Sequence, residues 1–454
     1  MKQDRLPRQL GLGSVVAFGL AYMAPSLVMI LFGIVAVESA GAAPTTFALA
    51  TGALLFTAFS YARMAAIYPV SGSAYTYARR NLGAPLGFLV GWSILLDYLF
   101  LPMVAWLTQS ILLNAQFPEI PIWAWMLINA GVTTAINVAG VVLADRVNRA
   151  LLYSSIGLVV LFVVVCLFYL VDHQPTSYTD PLWNSATTLT AVTGAAAIAA
   201  YSFLGYDAVT TLADESTDPG RTIPRAVILV VAIGGVIFVG VSYVMALVHP
   251  GSDFEAPEAI SYFMSLQVGG QTFADWTNLA GIIAGTGSCL AVQLSSSRLL
   301  YVMGRDGVLP RRFFGRLNDR TRTPVYSLLA TGAMCFVGMR LSLQTATGFI
   351  NFGAFLAFTA VNLCVVAYYL RHRHERQLNV VIFVLLPLVG AAITLYLLSQ
   401  LHSTALLIGS AWLCLGVGYL VWLTRAFRRP TPELSLDADP DDAAPTSTPS
   451  GAPA

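Results

Sequence analysis

The sequence predicts an all-α integral membrane protein with about twelve transmembrane helices. Three observations lead to this prediction. Of the 454 residues, 57% are apolar and only 10% are charged, whereas soluble globular domains carry roughly 25% charged residues. The apolar residues are gathered into windows of about 20 residues, the length that a helix needs to cross a bilayer. The basic residues lie almost entirely in alternate connections between those windows.

Twelve windows define the predicted spans, which we number in chain order. Their approximate limits are 14–38, 44–66, 85–111, 122–143, 151–171, 187–213, 225–248, 277–303, 325–341, 345–370, 378–399 and 404–425. The first window follows a polar and basic N-terminus, and its roughly 25 residues exceed the apolar part of a cleavable signal peptide. We therefore expect it to remain in the protein as span 1.

Basic residues determine the predicted orientation. When the N-terminus is placed inside the cell, every one of the 24 Lys and Arg residues except Arg340 falls on the inner side. The outer loop predicted after span 7 is acidic and carries Asp253, Glu255, Glu258 and Asp275. Because positive charge is retained on the cytoplasmic side of short loops, we expect a multi-pass protein of the cell (inner) membrane with both termini in the cytoplasm.

Short segments flank the transmembrane domain, which extends over 14–426. Residues 1–13 form a cytoplasmic N-terminus, and residues 427–454 form a tail that is rich in Pro, Ala, Ser, Thr and Asp. From Pro430 onward the tail has no aromatic residue. A segment of this composition cannot bury enough apolar surface to fold, so we expect it to be disordered.

Several function classes have no support in the sequence. A net charge of +1 and a single lysine, Lys2, give no indication of a nucleic-acid partner. The five cysteines lie inside apolar spans without C-x-x-C spacing, which is typical of packing residues and not of a disulfide framework or a metal site. No phosphate-binding loop, zinc site or nucleophile with its base is present, so no enzyme activity, cofactor or metal is predicted.

Two spans are interrupted near their middle. Span 1 contains Ala-Tyr-Met-Ala-Pro-Ser over residues 21–26, and span 6 contains Ser-Phe-Leu-Gly-Tyr-Asp over residues 202–207. Pro25 lacks an N–H group and clashes with the preceding helical turn, and Gly205 weakens the second helix. Unwound backbone at membrane depth occurs only where it faces protein or a water-filled cavity. The alternative for Pro25 is a simple helix kink.

The two breaks are five spans apart, which predicts an inverted repeat. Spans 1–5 (14–171) and spans 6–10 (187–370) would form the two halves, with helices 11 and 12 (378–425) appended. A repeat of five spans forces opposite topology in the membrane, which is the arrangement of alternating-access transporters, whose substrate sites lie at paired broken helices.

Two carboxylates lie well inside spans. Asp97 is near the middle of span 3 and Asp207 near the middle of span 6. Each costs roughly 2.5–3.5 kcal/mol at a helix centre on insertion scales, so each is a functional candidate, with a structural hydrogen bond to another helix as the alternative. The spans contain no evident Lys, Arg or His partner. Two such acids suit a cationic substrate, a transported proton, or both.

Other residues near the breaks are candidates for substrate binding. The aromatic side chains of Tyr22, Tyr98, Phe203 and Tyr206 are candidates for contacts with alkyl chains or ammonium groups. Backbone and hydroxyl groups at Ala24, Pro25, Ser26, Ser202 and Gly205 would complete the site, with Gln293 of span 8. Because Pro25 removes an N–H donor, the break in span 1 is less suited to an amino-acid carboxylate than a Gly-rich break would be.

The motifs resemble those of the amino acid–polyamine–organocation (APC) permeases, and within that superfamily those of bacterial putrescine importers. The stretches that carry the resemblance are Tyr68–Tyr77, Gly91–Phe100, Ser202–Arg225, Ser297–Asp306, and Ile350–Ala354 with Ala357–Thr359. The resemblance implies a five-plus-five inverted-repeat (LeuT-like) fold, a substrate site between spans 1, 3, 6, 8 and 10, and secondary import that is usually proton-coupled.

Asp207 falls where relatives carry an acidic residue, and Asp97 matches a Leu-Leu-Asp-Tyr motif of the putrescine-type members. Three features depart from the family. Ala24–Ser26 replaces a Gly-rich break, span 5 has no charged residue, and Gln293 stands where putrescine importers carry a histidine.

The sequence therefore predicts an importer of a small organic cation, putrescine or a related diamine, in which Asp97 and Asp207 bind ammonium groups or protons. A neutral or aromatic amino-acid permease and a non-transporting sensor or scaffold are the alternatives. Competition by amines that lack a carboxylate would distinguish the diamine importer from the amino-acid permease.

Overall fold

A computed structural model describes residues 10–70, 73–140, 145–305, 308–318, 323–375, 377–426, 428 and 431. Within these ranges the named elements are all helical, and β-pairing is limited to one isolated bridge between Leu10 and Ser216. The predicted all-α class is confirmed. Most of the N-terminal segment and of the tail falls outside the described residues.

The first half of the chain, up to the helix of span 5, contains seven α-helices in the described ranges. They are α1 (Leu12–Met23), α2 (Leu27–Glu38), α3 (Ala43–Ile67), α4 (Ser73–Leu82), α5 (Ala84–Gln116), α6 (Ile122–Val138) and α7 (Asp145–Asp172). Span 1 is the bent pair α1 and α2, and α3, α5, α6 and α7 are spans 2 to 5.

The second half starts with the broken span 6. Its α-helices are α8 (Leu189–Ala199), α9 (Pro219–Val248), α10 (Ile260–Arg305), α11 (Val325–Ala333), α12 (Cys335–Gly338), α13 (Leu343–His372), α14 (Leu386–Ser399) and α15 (Ser403–Leu423). Two 3₁₀-helices, Ala200–Phe203 and Asp207–Glu215, extend α8 through span 6. A third 3₁₀-helix lies at Pro257–Ala259. A π-helical turn, Val381–Leu385, begins span 11.

Each predicted span coincides with helix. Among the described residues, nine helices are long and apolar enough to cross a membrane, or ten when the bent pair of span 1 is counted as one. Two shorter apolar helices, Ile122–Val138 and Val325–Gly338, lie where spans 4 and 9 are predicted. The boundaries of the two repeats, 14–171 and 187–370, stay a prediction.

Two elements differ from the sequence-based expectation. Helix α10 begins at Ile260, well before the predicted start at residue 277, because it joins two helices across a kink at Gly270, where φ is 73°. Asp275 therefore lies in a helix and not in the expected loop. The connection between spans 2 and 3 contains α4, an amphipathic helix that hydropathy windows do not detect because it is short and polar on one face.

Small residues bring the spans together around the two breaks. A Cβ added to Gly235 of α9 would lie 2.2 Å from the Thr51 side chain of α3, and one added to Gly353 of α13 would lie 2.4 Å from the Ser93 carbonyl oxygen of α5. Small side chains permit this close helix contact in a membrane, where packing drives association. Spans 2 and 7, and spans 3 and 10, therefore hold the core of the bundle.

Span 12 is attached to span 3 by a reciprocal tryptophan pair. Trp92 Nε1–H donates to the Trp412 carbonyl oxygen at 2.9 Å, and Trp412 Nε1–H donates to the Trp92 carbonyl oxygen at 3.0 Å. The two rings stack with their centroids 5.0 Å apart. The pair satisfies both indole donors and anchors the appended helix against the core.

Candidate functional site

The break in span 1 lies where the sequence predicts it. Helix α1 ends at Met23 and α2 begins at Leu27, and the two helix axes differ by 49°. Ala24 between them has left-handed backbone angles, with φ 47° and ψ 87°. The break is tied to span 5, because Ser155 Oγ–H donates to Ser26 Oγ at 3.3 Å.

The break in span 6 also matches the prediction. After the helical turn Ala200–Phe203, the backbone extends at Leu204 (ψ 136°) and passes through φ 103° at Gly205. The tighter helix Asp207–Glu215 then resumes. A residue with a side chain rarely adopts the Gly205 conformation, so this glycine permits the chain to change direction at membrane depth.

The two breaks meet each other. A Cβ atom added to Gly205 would lie only 2.0 Å from Cδ1 of the Tyr22 ring, so Tyr22 of span 1 packs directly on the span 6 backbone. Tyr22 in turn interacts electrostatically with Tyr98 of span 3. Spans 1, 3 and 6 therefore converge at one depth of the bundle.

Both intramembrane carboxylates lie at this convergence. Asp97 and Asp207 interact electrostatically with each other, and both interact with Tyr22 and Tyr98. They are deep inside the bundle, yet each retains part of its accessible surface. Because these side chains are surrounded by protein but still partly accessible, we expect them to line an internal cavity, and we call these four residues the cavity cluster.

Asp207 begins the helix that follows the break in span 6. It is the first residue of Asp207–Glu215, two residues after Gly205. The first N–H groups of a helix are free to interact with an anion, and the helix dipole favours negative charge there. The break in span 6 therefore positions the Asp207 side chain.

Asp97 has fewer partners. In the described part of the chain its Oδ1 atom has no hydrogen-bond partner. The ion pair between Arg221 and Asp218 lies on the surface, away from both carboxylates. No basic side chain among the described residues thus neutralises Asp97 or Asp207 by a close ion pair. Two buried charges without a protein cation call for a cation from outside.

Span 8 closes the cavity cluster from another side. The hydroxyl of Ser296 in α10 donates to the Tyr98 carbonyl oxygen. Tyr201, one residue before the predicted site stretch, interacts electrostatically with Asp97 of span 3 and with Cys289 of span 8. Tyr201 was not among the predicted site residues, although its position next to Ser202 is a signal that points to it.

Two predicted site residues face other parts of the bundle. Gln293 is fully buried and bonds to Asn137 (3.0 Å) and Thr134 (2.6 Å), both on α6. Phe203 packs edge-on against Phe238 of span 7, with ring centroids 4.9 Å apart. Gln293 connects α10 to α6, and Phe203 connects span 6 to span 7. The structure does not bring either residue to the cavity cluster.

Tyr206 and Ser202 are likewise fully buried. Tyr206 packs against Tyr61 of span 2, whose ring centroid is 5.7 Å away, and against Phe358 of span 10 at 5.2 Å. Tyr61 is a residue near the site that the sequence does not indicate, because nothing distinguishes one tyrosine inside a span from another.

Comparisons with known proteins agree with this architecture. The family model described as amino acid permease matches residues 14–419. The chain is 35% identical over 435 residues to the low-affinity putrescine importer PlaP of Escherichia coli (strain K12), covering 94% of this chain and 96% of that protein. It is 27% identical to the methylthioribose transporter of Bacillus subtilis (strain 168), covering 91% and 93% of the two chains.

A third relative is the branched-chain amino acid permease BcaP of Bacillus subtilis (strain 168), which is 26% identical over 80% of this chain and 81% of its own length. The names of these relatives indicate different substrates. The resemblance found in the sequence motifs is thereby confirmed, and so is the LeuT-like fold. The chain belongs to the amino acid permease family of the APC superfamily, and it is a multi-pass membrane transporter and not an enzyme.

Proposed function

We propose that this permease imports a small organic dication, putrescine or a related diamine, across the cell (inner) membrane by proton-coupled alternating access. The observation that carries the proposal is that Asp97 and Asp207 lie partly accessible within spans 3 and 6 and interact with each other without a basic partner in the described part of the protein. The similarity to a putrescine importer over 94% of the chain supports the same substrate class.

A diamine is the complement of this cavity cluster. Each ammonium group offers three N–H donors and no acceptor, and charge-assisted hydrogen bonds to carboxylates are about twice as strong as neutral ones. Asp97 and Asp207 would bind the two ammonium groups, or one of them would bind an ammonium group while the other carries the coupled proton. Tyr22 and Tyr98 lie beside both carboxylates, where their rings would contact the alkyl chain and attract the ammonium groups.

Proton coupling follows from the same two carboxylates. When one carboxylate binds an ammonium group of the substrate, the other would remain a buried charge without a partner, which is unfavourable by several kcal/mol. A proton bound to that second carboxylate removes the charge. Substrate and proton would then cross the membrane together, both entering from the side opposite the two termini.

A neutral amino acid is the second candidate substrate. The N-terminus of α2 begins at Leu27 beside the hydroxyl of Ser26, and helix N-termini attract carboxylates. In this arrangement Asp207 would bind the amine. The absence of an N–H on Pro25 reduces the number of donors and favours the diamine.

Competition in proteoliposomes tests the proposal. Labelled putrescine is presented with an inward proton gradient, and unlabelled diamines, monoamines and neutral amino acids are added as competitors. We expect uptake that an uncoupler abolishes and that diamines inhibit best. Inhibition by neutral amino acids with no effect of diamines would refute the diamine proposal and support the amino-acid alternative.

A further inference from the structure

A proline lies in span 3 shortly after Asp97. It is Pro102, which is inside α5 and has helix on both sides of it. A proline within a helix has no N–H to donate to the carbonyl oxygen four residues earlier, and its ring crowds that oxygen. The residue four positions before Pro102 is Tyr98. The carbonyl oxygen of Tyr98, the neighbour of Asp97, therefore has no helical donor.

A serine of span 8 supplies the missing donor. Ser296 of α10 is 1% exposed, and its hydroxyl lies against two carbonyl oxygens, that of Tyr98 and, at 2.9 Å, that of Val292. A hydroxyl has one proton to donate. The Val292 oxygen already accepts the Ser296 N–H within α10, as helix geometry requires, whereas Pro102 leaves the Tyr98 oxygen without such a bond. The hydroxyl proton is therefore needed at Tyr98.

Other side chains also join α5 to α10, but they bond to carbonyl oxygens that already have helical donors. Gln109 Nε2–H donates to the Ile282 carbonyl oxygen at 3.3 Å, and Asn278 Nδ2–H donates to the Leu112 carbonyl oxygen at 2.9 Å. Both oxygens lie in helix that no proline interrupts at that point. These contacts fix α10 beside the second half of α5. The Ser296 bond differs from them because it replaces a bond that the backbone cannot make.

The position of Asp97 depends on this replacement. Asp97 lies in the same helical turn as the released carbonyl oxygen, where a proline allows a helix to bend. Its Oδ1 atom has no hydrogen-bond partner among the described residues, so the backbone, and not a bond to that atom, determines where the carboxylate lies. Ser296 attaches this part of the backbone to span 8.

We propose that Ser296 is a positioning residue that determines which length of diamine the permease prefers. By holding the Tyr98 turn against span 8, it fixes the separation between the side chains of Asp97 and Asp207, which the two ammonium groups of a diamine must match. Without the bond, the turn before Pro102 takes up several positions, and diamines of different lengths bind almost equally. This inference rests on the proposed diamine substrate and adds the residue that selects its length.

The length requirement holds in either protonation state of the pair. When both acids are ionised, each binds one ammonium group. When one of them carries the coupled proton, its carbonyl oxygen still accepts a hydrogen bond from the second ammonium group. The separation between Asp97 and Asp207 therefore limits the substrate in both cases.

The test compares Ser296→Ala with Ser297→Ala in the full-length protein. Ser297 is the matched control, because it is fully buried but its hydroxyl donates within its own helix, to the Leu294 carbonyl oxygen at 2.7 Å. Uptake of labelled putrescine into proteoliposomes is inhibited with unlabelled diamines of three, four and five carbon atoms. We expect the ratio of the weakest to the strongest inhibition constant to fall by about fivefold or more in Ser296→Ala, the scale of one buried hydrogen bond. In Ser297→Ala the ratio should stay within about twofold of the wild type.

Pro102→Ala provides a readout that general destabilisation would not give. The new N–H can donate to the Tyr98 oxygen, so Pro102→Ala alone should keep the wild-type ratio, and adding Ser296→Ala to it should change the ratio by less than about twofold. Ser296→Thr, which retains the hydroxyl, should keep the preference in the wild-type background.

Four results would overturn the inference: an unchanged ratio in Ser296→Ala, an equal fall in Ser297→Ala, the same fall with and without Pro102, or a wild type that binds all three diamines equally. Wild-type uptake that no diamine inhibits is a different result. It would contradict the proposed substrate itself, and it would be seen before any variant is made.

Discussion

Tyr22 packs on the backbone of Gly205, so that the two broken spans touch at their breaks. A Cβ atom at position 205 would lie 2.0 Å from the Tyr22 ring, and the φ of Gly205 is +103°. Position 205 is therefore restricted twice, by the space that Tyr22 occupies and by a backbone conformation that other residues rarely adopt.

We expect Gly205→Ala to abolish most putrescine uptake and to destabilise the protein by about 1–3 kcal/mol from backbone strain alone. Uptake in proteoliposomes and the unfolding temperature in detergent measure the two effects. Gly240→Ala is the matched control, because Gly240 is helical and a Cβ there meets nothing within 4 Å. Equal behaviour of the two variants would contradict the proposed contact between the breaks.

Asp97→Asn and Asp207→Asn should each reduce putrescine uptake by about 100-fold or more, since each removes a charge that pairs with an ammonium group in a site shielded from water. Expression and the elution profile should stay normal, because an amide fits the space of a carboxylate. Asp180→Asn, at an exposed position, is the control. Wild-type transport by both cavity variants would show that the site has been misassigned.

Leu10 is paired with the chain that leaves span 6. Its N–H donates to the Glu215 carbonyl oxygen at 3.1 Å, and its carbonyl oxygen accepts from the Thr217 N–H at 3.2 Å. Between this bridge and the breaks, a Cβ on Gly19 would lie 2.7 Å from the Val209 side chain. Helix α1 and the second half of span 6 are thus joined along their length, and we expect them to move as one unit during transport.

Cysteines at positions 10 and 216 should therefore crosslink under mild oxidation without loss of putrescine exchange. The crosslink is introduced with Cys414 replaced by Ser, because Cys414 is the exposed native cysteine among the five. Leu10→Cys alone is the control for oxidation. Loss of exchange on oxidation, restored by a reductant, would mean that the two segments separate in each cycle.

Trp412→Phe should destabilise the fold by about 1–3 kcal/mol, because it removes the indole hydrogen bond to the Trp92 carbonyl oxygen and weakens the stacked ring pair. We expect a lower unfolding temperature in detergent with substrate specificity unchanged. Trp422→Phe, on the same helix but 70% exposed, should have little effect. A smaller shift for Trp412→Phe than for Trp422→Phe would argue against anchoring of span 12 by the tryptophan pair.

Local features of the sequence predict much of this fold. Runs of apolar residues determine where helices cross the membrane, because a bilayer sets one length for every span. Pro25 and Gly205 predict the breaks, because each acts on its own stretch of backbone. The start of α10 and the presence of α4 were missed, because a hydropathy window does not register helix that lies outside the membrane core.

The orientation of individual side chains was decided only by the tertiary structure. Sequence proximity to the break suggested that Phe203 and Tyr206 would contact substrate, yet they pack against spans 7 and 2. The side-chain amide of Gln293 is hydrogen-bonded to residues of α6. Tyr61, from a span distant in sequence, interacts electrostatically with Asp207. The sequence by itself determined the spans, the breaks and the two uncompensated carboxylates, whereas the faces that meet across helices depend on packing among distant segments.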